Sequence, residues 1–140
     1  MVTNIENITN AFKIFNDAYF GGFLPLPRFG VLHSYRICGC LEWSDITRNG
    51  DLVNPIIKVT DYYELDEETF RNILCHEMLH YYLMCLHFGE GGKHGKWFKK
   101  KAKQLNDKYG LNITIGTCVS NLKRRKGAPL LEYWLSHFFF

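Results

Sequence analysis

CHEMLHYYLMCLHFGEGGKHGKWF, residues 75–98, carries four of the six histidines in the chain. His76 and His80 stand four residues apart. On a helix that spacing puts both side chains on one face, close enough to grip one ion. Glu77 lies between them and completes H-E-x-x-H, a pattern in which two histidines bind zinc and the glutamate acts as general base. The surrounding residues decide the element. Phe70, Ile73, Leu74, Leu79, Tyr82, Leu83 and Leu86 leave little polar face, so a helix here is expected to be central and buried. Asp66 is a fitting N-cap, and Glu67 and Glu68 suit the positive first turn. The helix is expected to run to about Phe88. Ionisable side chains on a buried helix are costly unless paired or metal-bound, which favours a metal over a purely structural histidine pair.

A third ligand has two histidine candidates. His87 lies seven residues past His80, which places it roughly 10 Å further along a helix axis. A zinc–nitrogen bond is about 2 Å, so His87 cannot join unless the helix ends early. His94 follows the glycine-rich GEGGKHG connection, which can bring the chain back beside His76 and His80. Three histidines would leave a fourth position open, as catalytic zinc requires. The metzincin spacing would need glycine and histidine where Leu83 and Leu86 stand, so that arrangement is excluded. His33 and His137 are isolated and read as surface or satisfied histidines.

Outward from this stretch, Ile5, Ile8, Phe12, Phe15 and Tyr19 recur at three- and four-residue steps and predict a helix over 4–19. FGGFLPLPRFG ends it. GVLHSYRICGCLE, 30–42, reads as one long strand or a pair, Asn49-Gly50 as the centre of a turn, and PIIKVT, 55–60, as a short buried strand. A third helix is expected over 95–109, with Phe98, Ala102, Leu105 and Tyr109 inward and Gly110 closing it. LNITIGT, 111–117, reads as a strand. The last twenty residues are not assigned to an element.

The length of 140 residues suits one domain. The net charge of +3 hides a split: residues 1–92 hold 6 Lys/Arg against 12 Asp/Glu, and residues 93–126 hold 11 against 1. The basic third suggests an anionic partner such as single-stranded DNA, met by Lys96, Lys99, Lys100, Lys103, Arg124 and Arg125; the plainer reading is a solvated face. The start shows no signal-peptide pattern, and no stretch is apolar for long enough to span a bilayer. Five cysteines, an odd number, favour reduced thiols and a cytoplasmic setting.

The combination of motifs resembles the SprT-like family of zincin metalloproteases. AFKIFNDAYFGGFLP resembles the first helix and its exit, RICGCLEW and PIIKV the two strands, and HEMLH with HGKWF the paired metal segments. The resemblance implies an α+β, zincin-like fold: a small, mostly antiparallel sheet packed on three main helices, the central one carrying H-E-x-x-H. It implies zinc on His76, His80 and His94, and peptide hydrolysis with Glu77 as base. It also brings DNA-associated proteins, and hence DNA–protein crosslink repair, into the range of substrates. The expected division is a metalloprotease domain over 1–116 and a basic, aromatic extension over 117–140 that packs on it or serves association. Only Cys118 follows the metal segment, so the C-terminal zinc ribbon of many relatives is not expected.

Three points stay open in the sequence. Tyr35, Tyr81 and Tyr82 are candidates for stabilising an oxyanion, with core packing the plainer role for each. Cys38 and Cys40 share a strand face; a thiolate there would be able to occupy zinc's open position, although packing a strand is the simpler role. The rival function is a nucleic-acid-binding module with a structural or degenerate zinc site, which leaves Glu77 without a task.

Overall fold

The structure, a computed structural model, describes residues 2–88 and 94–115 and the short strand at 123–124. Helix α1, Ile5–Tyr19, starts at Asn4, whose side chain accepts from the Asn7 N–H at 2.7 Å. Ile8 and Phe12 are buried, whereas Ile5, the first residue of the expected stripe, remains in solvent. Buried Asn16 then ties down the chain after the helix. Its amide donates to the Leu24 carbonyl at 3.0 Å and accepts the Leu24 N–H at 3.1 Å.

Strands β1, Arg28–Leu32, and β2, Gly39–Glu42, come from the stretch read as one strand or a pair. Strands β3, Asp45–Ile46, and β4, Leu52–Val53, form a hairpin around Gly50, which takes φ +87°. Strand β5, Ile56–Thr60, is the middle of a three-stranded sheet of order β1-β5-β2. Its Ile57 and Val59 are fully buried. The sheet is mixed rather than mostly antiparallel: β5 runs parallel to β1 and antiparallel to β2. Parallel neighbours need a long connection, and residues 33–55, holding β2 and the hairpin, supply it. Strand β6, Tyr63–Glu64, pairs with β7, Lys123–Arg124.

Helix α2, Glu67–Cys85, starts where Asp66 caps it by accepting the Thr69 N–H at 2.7 Å. It ends earlier than Phe88. His87 takes φ +61°, the Phe88 N–H bonds to the Leu83 carbonyl at 2.8 Å, and the His87 N–H bonds to the Met84 carbonyl at 3.1 Å. This is a Schellman ending, with histidine where glycine is usual. Helix α3, Lys96–Tyr109, closes at Gly110, φ +69°. Phe98, Ala102 and Leu105 face inward, while Tyr109 sits at the edge of the stripe against Tyr19.

Helix α2 packs against α1, α3, β2 and β5, and α1 also packs directly on β1. Ile8, Phe12, Ile57, Leu74, Met78 and Phe98 belong to one continuous core, and each such burial contributes about 1.5–3 kcal/mol before chain entropy is set against it. Residues 111–114 are not a strand. Leu111 and Ile113 are buried in alternation, as a strand's would be, but side-chain amides replace the neighbouring strand. Asn106 bonds both the N–H and the carbonyl of Ile113, at 2.9 and 3.1 Å, and Asn72 accepts the Asn112 N–H at 3.0 Å. Apart from β7, the expected extension over 117–140 lies outside the described residues. Among the described residues no helix is long and apolar enough to cross a membrane.

Candidate metal centre

Helix α2 presents His76, Glu77 and His80, and His94 stands just before Gly95, the N-cap of α3. The packing of α3 on α2 closes the group. The His80 Nε2 lies 3.2 Å from the Nε2 atoms of both His76 and His94, which are themselves 3.0 Å apart. The three rings are inclined to one another by 56–65°. Neutral imidazoles offer one lone pair or one N–H at each such nitrogen, and no placement of protons makes three good hydrogen bonds around so small a triangle. A tetrahedral zinc with bonds of about 2.0–2.1 Å sets its ligand nitrogens about 3.3 Å apart. The donor set therefore fits one ion in both chemistry and spacing.

Two neighbours fix the triangle. The His76 Nδ1 donates to the Thr114 carbonyl at 2.6 Å. A carbonyl can only accept, so the proton sits on Nδ1 and the Nε2 lone pair faces its partners. Below them lies the ring of buried Phe98, its centroid 4.5 Å from that of His80 and 4.9 Å from those of His76 and His94. Burial pushes His76 and His80 down to about 4, with the neighbouring histidines adding to the shift. Both are thus neutral and able to ligate at pH 7.

Glu77 is buried, with its carboxylate Oε2 4.0 Å from the His76 Nε2. Burial raises its carboxyl to about 8; a cation held by the histidines would favour the ionised form. Strand β2 passes tightly over this side chain. A Cβ added at Gly39 would sit 3.1 Å from the Glu77 Cγ, 3.1 Å from the Ile73 Cγ2 and 3.3 Å from the Glu77 Oε2. Glycine is needed there for space, since its φ is not in the left-handed region. A cavity of about 320 Å³ opens beside His76, Glu77 and His94.

The other expected residues fall elsewhere. His87 turns away: its Nε2 meets the Asp51 Oδ1 at 3.0 Å and its ring lies against Gly50. His33 pairs with Asp61 at 2.9 Å; His137 lies outside the described residues. Tyr81 donates to the Pro25 carbonyl at 2.9 Å, Tyr82 packs on Phe20 and Phe23, and Tyr35 packs on Tyr62. None of the three tyrosines lines the cavity. Cys38 does line it, and Cys40 bonds Glu42 at 3.5 Å. Burial pushes their thiols up to about 11 and about 12. Among the described residues, the donors that come together for one ion are the three histidines, without either cysteine.

Lys96, Lys99, Lys100 and Lys103 are exposed on α3; Lys96 and Lys100 lie over Trp97, and Lys103 pairs with Asp107 at 2.7 Å. Arg124 is placed only as part of β7, and Arg125 lies outside the described residues. Sequence reasoning missed the tasks of Gly39, Thr114 and Phe98. A glycine within a strand pattern signals a close approach; Phe98 was legible only as core, and nothing marked the Thr114 carbonyl.

The model of the SprT-like family matches residues 8–117, well over half of the chain. No curated protein matches it.

Proposed function

The chain belongs to the SprT-like family, and from that premise we propose that it is a zinc-dependent metallopeptidase that hydrolyses peptide bonds. One observation carries the reading: three imidazole nitrogens converge within 3.2 Å of one another beside the buried carboxylate of Glu77. A bound zinc ion supplies Lewis acidity, polarising a carbonyl and lowering the pKa of a water to about 7.

The remaining work falls to the chain. His76, His80 and His94 hold the ion, with His76 oriented by the Thr114 carbonyl. Glu77 takes a proton from the attacking water and returns it to the leaving nitrogen, a transfer that typically contributes about 10²–10⁴-fold. Gly39 leaves space for that side chain, since a Cβ there would sit 3.1 Å from the Glu77 Cγ. Strand β2 pairs with β5 alone among the described strands, so its other edge is available to an extended peptide. Strand addition would hold the scissile bond across the site.

A structural zinc site in a nucleic-acid-binding module is the weaker reading, because burying Glu77 would then be a cost with no return. The exposed lysines of α3 support a narrower form of the peptidase reading, in which single-stranded DNA brings protein substrates to the site. The test is zinc analysis of the full chain together with hydrolysis of an unstructured protein, with and without a chelator. Stoichiometric zinc and chelator-sensitive cleavage are expected. A zinc-loaded protein that cuts nothing, with or without DNA, refutes the proposal.

A further inference from the structure

The cavity beside the histidines has walls of a different character from its floor. His76, Glu77 and His94 form one side. Ile37, Ile73 and Ile115 form apolar walls, together with the buried Cys38. Ile73 is buried, but Ile37 and Ile115 are 53% and 55% exposed. Single exposed isoleucines need no explanation. These two come from separate segments, the loop before β2 and the stretch after α3, and both line the same cavity. Ile115 directly follows Thr114, whose carbonyl orients His76. The apolar wall is thus built on the same short segment that fixes a proposed ligand.

Resting on the peptidase reading, we propose that this cavity is a subsite for an apolar side chain, aliphatic or aromatic, on the substrate residue next to the scissile bond. Its volume of about 320 Å³ is at the small end of ligand sites. It takes one side chain with its adjoining backbone, not a folded segment. Charge points the same way. A lysine or arginine side chain would have to leave water for walls made of three isoleucines. An aspartate or glutamate would have to leave water for three isoleucines and meet the carboxylate of Glu77. A leucine, methionine or phenylalanine covers the two exposed isoleucines and displaces water from them at no such cost.

The test uses the zinc-loaded full chain and a peptide series that varies the two residues flanking the cut among leucine, phenylalanine, glycine, aspartate and lysine. One of the two positions is expected to favour leucine or phenylalanine over glycine by about tenfold or more in kcat/KM. Ile37→Ser and Ile115→Ser should each reduce that ratio severalfold; both residues are largely exposed, so both variants are expected to fold. Equilibrium binding of the same peptides to zinc-loaded Glu77→Gln reads the subsite without turnover and should show the same order. Leucine-selective binding by a protein that cuts no peptide supports the subsite and overturns only the peptidase reading. Equal kcat/KM and equal binding across the series, no peptide binding, a preference for a charged side chain, or a preference untouched by both serine variants overturns the subsite.

Discussion

Phe98→Leu separates the stability of the core from the geometry of the metal centre. The Phe98 ring is 2% exposed and lies within 4.9 Å, centroid to centroid, of all three histidine rings. Truncation to alanine would cost about 3–5 kcal/mol, a large part of the 5–15 kcal/mol that holds a typical domain. Leucine keeps most of the volume and should cost about 1–2 kcal/mol. For a domain of this size that lowers Tm by roughly 3–10 °C. If the ring is the platform that holds the three imidazoles together, zinc affinity falls as well, by about 10–100-fold, as for other supports of metal ligands. The control is Phe12→Leu. Phe12 is 1% exposed in the same core, but it packs on Phe29 and Tyr81. Zinc affinity is measured by competition with a chromophoric chelator, well below both melting temperatures. Phe98→Leu should lose affinity and Phe12→Leu should not. Equal affinity in the two variants at matched stability would refute the platform argument.

Further predictions follow from the neighbours of the centre. Without metal, Glu77 has a carboxyl raised from an ordinary value near 4.5 to about 8, so the folded protein holds that proton more tightly than the unfolded chain. Its contribution is present below about pH 4.5 and is lost as pH rises towards 8. Metal-free Glu77→Gln should therefore gain Tm relative to the parent as pH is raised from 5 to 8, and a difference that stays flat over that range contradicts the burial account. Gly39→Ala puts a Cβ 3.1 Å from the Glu77 Cγ; kcat is expected to fall about 10–100-fold with zinc content unchanged, whereas unaltered turnover would show that the glycine is not needed. If Lys96, Lys99, Lys100 and Lys103 meet phosphates, the logarithm of the affinity for single-stranded DNA falls with the logarithm of salt concentration by about 0.7 per neutralised phosphate; no binding even at low salt would leave them a solvated face.

What the sequence made legible was local. The spacing of His76 and His80, the Asp66 cap and the Gly110 stop depend on neighbours within one or two helical turns, and α2 begins and α3 ends accordingly. The placing of His94 needed the return of α3, which spacing alone allowed and the family resemblance supplied. Readings failed where side chains replaced the usual backbone chemistry. His87 adopted a conformation usually left to glycine and ended α2 three residues before Phe88. Asn106 and Asn72 satisfied a segment with the alternation of a strand. The parallel pairing of β1 with β5 depends on a long connection, and no local pattern specifies it. Gly39, Phe98 and the Thr114 carbonyl meet the site only through tertiary packing, so their tasks appear once the helices and the sheet are in place.

The central claim is that Glu77 performs proton transfer beside a metal held by His76, His80 and His94. The most direct measurement is hydrolysis of an unstructured protein by the full chain and by Glu77→Gln at equal, stoichiometric zinc. Glutamine keeps the shape and removes the base, so cleavage should fall by about 10²–10⁴-fold with zinc retained. Near-parental cleavage by the zinc-loaded variant would contradict the claim and place the base elsewhere.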